Sequence, residues 1–106
     1  MSDLEQLVLL ALLRIGPTAY GVTIAEEIGR ETGREIGLGA LYKVLNRLEI
    51  HGMVGTKIGQ STPERGGRRK RHYHLLTPGR RALADSLRAI DRLRRGLGEE
   101  LARELR

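Results

Sequence analysis

Two groups of side chains carry whatever chemistry this chain performs. Arg65, Arg68, Arg69, Lys70 and Arg71 crowd into one short run with two glycines among them, and upstream of it Tyr42, Lys43, Asn46 and Arg47 follow Gly39 and Ala40 in the segment LGALYKVLNRLEIHG. Guanidinium and ammonium groups in a cluster suit phosphate. Arginine outnumbers lysine here, which favours two-pronged contacts and entry into narrow grooves. Asn pairs with an adenine edge, Lys or Arg with guanine, and a tyrosine hydroxyl holds a phosphate. The residues thus point to a polyanion, and their mixture points to one with readable bases.

Other chemistries find less support. There is no Cys, which excludes disulfides, thiolate metal sites and a cysteine nucleophile. No paired acids accompany a nucleophile, no glycine loop cradles phosphates and no triad is discernible, so no enzyme is expected. Glu26 and Glu27 diverge on a helix and read as a solvated face. His72 and His74 alternate along a strand and share a side, with His51 upstream. They are weak candidates for Zn²⁺ or Ni²⁺, but beside the basic run phosphate contact or plain exposure is the better reading, and no metal or cofactor is expected. Their protonation would tighten polyanion binding at mildly acidic pH.

The charge is localised. The chain has 106 residues and a net charge of +6; residues 1–37 carry −3, residues 38–77 carry +6 and residues 78–106 carry +3. A mixed-sign surface is ordinary, whereas an excess concentrated in the middle third implies a polyanionic partner. The longest apolar run, LVLLALL, is far below the roughly 20 residues that span a bilayer and follows acids instead of a basic flank. A cytoplasmic protein with no membrane association is expected.

Five elements must hold the two groups in place. Ser2-Asp3-Leu4-Glu5 is a capping box that starts a helix at about Asp3, ended by Gly16-Pro17. A second helix runs from Tyr20 or Gly21 to Gly33, with Val22, Ile24, Ala25 and Ile28 inward and Glu26, Glu27, Arg30 and Glu31 outward. A third runs from Leu38 to His51, closed by Gly52, a residue suited to the left-handed position after a helix. At about 100° per residue its Leu41, Val44, Leu45 and Leu48 share one face, while Gly39, Lys43, Asn46 and Ile50 point away, flanked by Ala40, Tyr42 and Arg47. Met53 to Ile58 and Arg71 to Leu76 are strand-like and enclose the basic run as the tip of a hairpin. Thr77-Pro78 supplies an N-cap and a first-turn proline for a last helix reaching the C-terminus.

Helix, helix, helix, hairpin, helix is the order of a winged helix-turn-helix with a trailing helix. The fold is therefore expected to be mainly α with one small hairpin, residues 1–77 forming the winged unit and 78–106 a dimerisation helix packed with the first helix. In the first helix Leu4, Leu7, Val8, Leu10, Ala11, Leu12, Leu13 and Ile15 cover nearly the whole circumference, more than one stripe. In the last, Leu83, Leu87, Ile90, Leu97 and Leu101 follow a heptad-like spacing with Arg94 in the vacant slot. Gly96 and Gly98 each weaken it by about 1 kcal/mol relative to Ala, so it bends there or leans on a partner. A domain this small gains from a second subunit. Leu4, Leu7, Val8, Ala11, Leu83, Leu87, Ile90, Leu97 and Leu101 are the expected dimer contacts.

Three blocks, LVLLALLRIGPTAYGVTIAEEI, GALYKVLNRLEIHGMV and GGRRKRHYHLLTPGRRAL, resemble in order and spacing the signature blocks of the PadR family of bacterial transcriptional regulators. The likeness extends from Leu4 to about Leu87. Its most specific part is Gly39-Ala40-Leu41-Tyr42 with Arg47-Leu48-Glu49, supported by Tyr73, Leu76, Thr77 and Gly79. It implies a dimeric winged-helix repressor whose third helix and wing bind an inverted-repeat operator, joined through its last and first helices, and it implies the short-tailed branch. Val22, Ala40 and Lys43 stand where that family commonly has Tyr, Thr and Pro, so Lys43 is an added cation on the reading face. Some short relatives hold flat aromatic compounds between paired tryptophans; this chain has neither Trp nor Phe, and that ligand chemistry does not transfer.

The residues and the resemblance together predict a homodimer on double-stranded DNA. Lys43, Asn46 and Arg47 read bases, and Tyr42 and the hairpin arginines hold the backbone. A small-molecule inducer is left open. Two alternatives use the same basic tip: a protein-interaction module meeting an acidic partner, and a non-specific nucleoid-type binder.

Overall fold

The computed structural model describes residues 1–59 and 70–105. Among the described residues, five helices and two strands follow one another as α1 (Asp3–Ile15), α2 (Gly21–Thr32), α3 (Leu38–Ile50), β1 (Val54–Ile58), β2 (Arg71–Leu75), α4 (Thr77–Arg94) and α5 (Gly98–Ala102). The capping box forms as read: the Ser2 hydroxyl accepts from the Glu5 amide at 3.1 Å, and the Ser2 amide donates to the Glu5 carboxylate at 2.8 Å. That backbone donor holds the Glu5 carboxyl below its usual range, against the opposing effect of partial burial.

Val8, Leu9, Ala11 and Leu12 of α1 meet Ile24 and Ile28 of α2 and Leu41, Val44, Leu45 and Leu48 of α3 in one core, which Val54, Tyr73 and Leu83 complete. Side chains of this size contribute roughly 1.5–3 kcal/mol each when fully buried. Two inward-outward assignments on α2 are corrected. Val22 lies outside the stripe of Ile24 and Ile28 and is exposed. Glu27, expected in solvent, is only 8 % exposed. Its charge is held there by Arg14, whose Nε lies 3.3 Å from Oε2, and by Arg30 on the other oxygen. Burial raises its pKa, the two guanidinium groups outweigh that, and the net displacement is downward.

The strands pair antiparallel, Val54 opposite Leu75 and Ile58 opposite Arg71. Each is one residue shorter than expected, because Met53 and Leu76 serve a different purpose: the Leu76 amide donates to the Met53 carbonyl at 3.0 Å. Leu76, in extended conformation, therefore occupies the N-cap of α4 in place of Thr77. Gly79 packs so tightly on this corner that a β-carbon there would lie 2.2 Å from the Met53 carbonyl oxygen.

The last helix does not run through to the C-terminus. It stops at Arg94, Gly96 takes φ +84°, and α5 restarts at Gly98. A continuous heptad stripe from Leu83 to Leu101 is thus not formed, because the left-handed turn redirects the chain. Among the described residues no helix is long and apolar enough to cross a membrane.

Candidate nucleic-acid interface

Leu41, Val44, Leu45 and Leu48 seat α3 on the core and leave Gly39, Ala40, Tyr42, Lys43, Asn46, Arg47 and Ile50 exposed. Gly39, Lys43, Asn46 and Ile50 fall within about a quarter of the helix circumference. Ile50 is 74 % exposed in the middle of this face, an apolar side chain that the described residues leave uncovered. The helical spacing predicts Ile50 on the outward face, and single exposed apolar residues are common on protein surfaces.

The two flanks of α3 differ. On one, the Tyr42 ring lies against α2 where Gly21 leaves room; a β-carbon at Gly21 would come within 2.2 Å of the Tyr42 oxygen. Further along the same flank the Thr56 hydroxyl donates to Glu49 at 3.0 Å, tying β1 to the helix. On the opposite flank Arg47 lines a groove of about 620 Å³ with Glu5, His51, Met53 and Asp85. Arg47 thus stands one turn beyond Lys43 at the edge of the outward face, where it also borders the acids of α1 and α4.

Of the five basic residues in the hairpin, Arg65, Arg68 and Arg69 lie outside the described residues. Lys70 and Arg71 are described. Lys70 Nζ sits 4.2 Å from the centre of the Tyr20 ring, and Arg71 is exposed at the start of β2. His72 and His74 share a face, each imidazole crossing a glycine of the opposite side of the hairpin, Gly59 and Gly55. His72 Nδ1 lies 2.9 Å from the Thr18 carbonyl oxygen. A carbonyl only accepts, so Nδ1 carries the proton and the ring is committed to the turn before α2. No group of three or more His, Asp or Glu side chains suited to a metal occurs among the described residues. Tyr73, on the other face of β2, is buried, which pushes its phenol pKa up, while its amide donates to the Ala19 carbonyl at 2.9 Å.

Thr18, Ala19 and Tyr20 thus support the hairpin, and none was singled out from sequence. Their only signal was the aromatic residue just before a helix start. Of the expected dimer contacts, Val8, Ala11 and Leu83 are consumed by the core of one chain and have almost no free surface. Leu4, Leu7, Leu87 and Leu101 are half-buried, and Ile90 and Leu97 are exposed. Leu93, not among the expected contacts, is 80 % exposed beside Ile90.

The arrangement matches known proteins at two levels. Residues 9–85 match the transcriptional regulator PadR-like family. Among solved structures, a PadR-like transcription factor from Bacteroides fragilis superposes with a TM-score of 0.75 at 25% identity over 91% of this chain and 87% of that one. Bacillus subtilis PadR, solved in complex with operator DNA, gives 0.69 at 24% identity over 81% of this chain and 48% of that one. The winged-helix DNA-binding protein F93 from STIV gives 0.72 at 14% identity over 91% and 96%. None of the curated proteins matches the chain.

Proposed function

Because the chain belongs to the PadR-like family of transcriptional regulators and has the DNA-binding winged-helix fold, we propose that it is a sequence-specific repressor that binds an inverted-repeat operator as a homodimer in the cytoplasm. The observation that carries this is the outward face of α3, where Lys43 and Asn46 stand exposed on a helix whose opposite side is fully committed to the core. In this reading α3 enters the major groove, Gly39 and Ala40 allow its N-terminal end to come close, and Lys43 and Asn46 contact base edges. Arg47 contributes from the edge of the face, Tyr42 holds a phosphate, and Arg65, Arg68, Arg69, Lys70 and Arg71 supply backbone contacts that carry most of the salt dependence.

Residues 1–77 act as the DNA-binding unit and 78–106 as the dimerisation segment. Two copies meet through α1 and the exposed Ile90, Leu93 and Leu97 of the tail, which sets the two α3 helices about 34 Å apart on one side of the duplex. That the Bacillus subtilis protein was solved in complex with operator DNA supports operator DNA as the partner here.

Salt-titrated binding to the promoter of the protein's own gene and to random duplex tests this. A preference of about 10³-fold or more is expected for the promoter. Asn46→Ala should relax selectivity at one operator position, by roughly 1–3 kcal/mol. A salt slope without preference would mean a non-specific binder, and neither slope nor preference would mean a protein-interaction module.

A further inference from the structure

We infer that Tyr20 and Gly21, adjacent at the start of α2, form the common reference that fixes the wing and the reading helix relative to each other, with Tyr20 as the positioning residue of the wing. The backbone of Tyr20 is held rigidly: its amide donates to the Thr23 hydroxyl at 3.0 Å, and its carbonyl accepts from that hydroxyl at 3.0 Å and from the Ile24 amide at 2.9 Å. Its ring is a fixed post. Lys70 caps one face of the ring at 4.2 Å, and His72 meets it edge-on, with centroids 6.0 Å apart and planes at 86°. His72 and Tyr73 bond to Thr18 and Ala19 just upstream. Gly21, the next residue, receives Tyr42 from α3.

The root of the wing and the flank of the reading helix therefore converge on two consecutive residues. A duplex that engages both elements requires their separation to be set before binding, since an unfixed wing spends part of its phosphate contacts on ordering itself. The consequence for DNA rests on the function proposed above; the mechanical role does not.

Two variants of the full chain test it by amide exchange and DNA binding. Tyr20→Leu removes the ring and should speed exchange of the Tyr73 amide about tenfold, the scale of an aromatic contact plus a cation–π contact, while the Leu45 amide of α3 keeps its rate. It should weaken all duplexes alike and flatten the salt slope. Tyr20→Phe keeps the ring and should restore both. Should Tyr20→Leu fail to fold, Lys70→Gln, which removes only the cation, should still speed Tyr73 exchange. Wild-type Tyr73 exchange in Tyr20→Leu, or in Lys70→Gln where that variant must stand in, would overturn the proposal. So would losses in Tyr20→Phe equal to those in Tyr20→Leu, which would mean that the hydroxyl touches phosphate directly. If no duplex is preferred, the repressor reading fails while the exchange results still decide the role of Tyr20.

Discussion

Gly79→Ala should destabilise the fold although it places a better helix former in the first turn of α4. The added methyl would sit 2.2 Å from the Met53 carbonyl oxygen, 3.0 Å from its carbon and 3.2 Å from a Leu75 methyl. Backbone cannot swing aside as a side-chain end does, so α4 must retreat by about 1 Å to restore van der Waals contact. The same movement stretches the 3.0 Å bond from the Leu76 amide to Met53, which closes the corner between α3, the hairpin and α4. Overpacking costs about 1–3 kcal/mol, the strained bond about 1 kcal/mol, and the propensity gain returns at most about 1 kcal/mol. The net loss is about 1–3 kcal/mol, or some 4–8 °C in Tm per kcal/mol for a domain of this size. Thermal and urea unfolding at one fixed protein concentration measures it, since association would otherwise enter the comparison. A variant as stable as the parent, or more stable, would refute the close packing of α4 on Met53.

Two further outcomes are expected. Glu27 has its pKa lowered in the fold, so its contribution to stability is present above the unfolded-state value, near 4.3, and is lost as pH falls through the lower folded value. Glu27→Gln should therefore give a flatter loss of stability below about pH 4.5 in acid unfolding, and an unchanged pH profile would mean that Arg14 and Arg30 do not hold the charge. Replacing Ile90 and Leu93 with Glu should shift sedimentation toward monomer without loss of helix content, because both side chains are exposed in the single chain. A dimer that persists would assign association to another surface.

Periodicity revealed the seat of α3. Leu41, Val44, Leu45 and Leu48 recur at helical spacing, and their burial dictates which side Lys43 and Asn46 present. Capping chemistry revealed the start of α1, where Ser2 and Glu5 need only each other. Contacts between distant segments left no such trace. Glu27 read as solvated because its pairing with Arg14 depends on how α1 crosses α2. That Arg47, at the edge of the outward face, also borders the groove lined by Glu5 and Asp85 depends on how α1 and α4 cross α3. Val8, Ala11 and Leu83 looked available to a partner because circumference alone does not reveal which side the same chain covers. Tyr20 had only its place just before a helix start, since its contacts with Lys70 and His72 exist only once β2 packs beside it.

The turn at Gly96 separates length from phase. In an uninterrupted helix each inserted residue would swing every later side chain by about 100°, and a seam formed along it would be lost. Here α5 begins afresh after a left-handed residue, so Leu101 does not continue the angular phase of Ile90 and Leu93. The direction of the last turns is thereby set at Gly96 and not by the phase of α4.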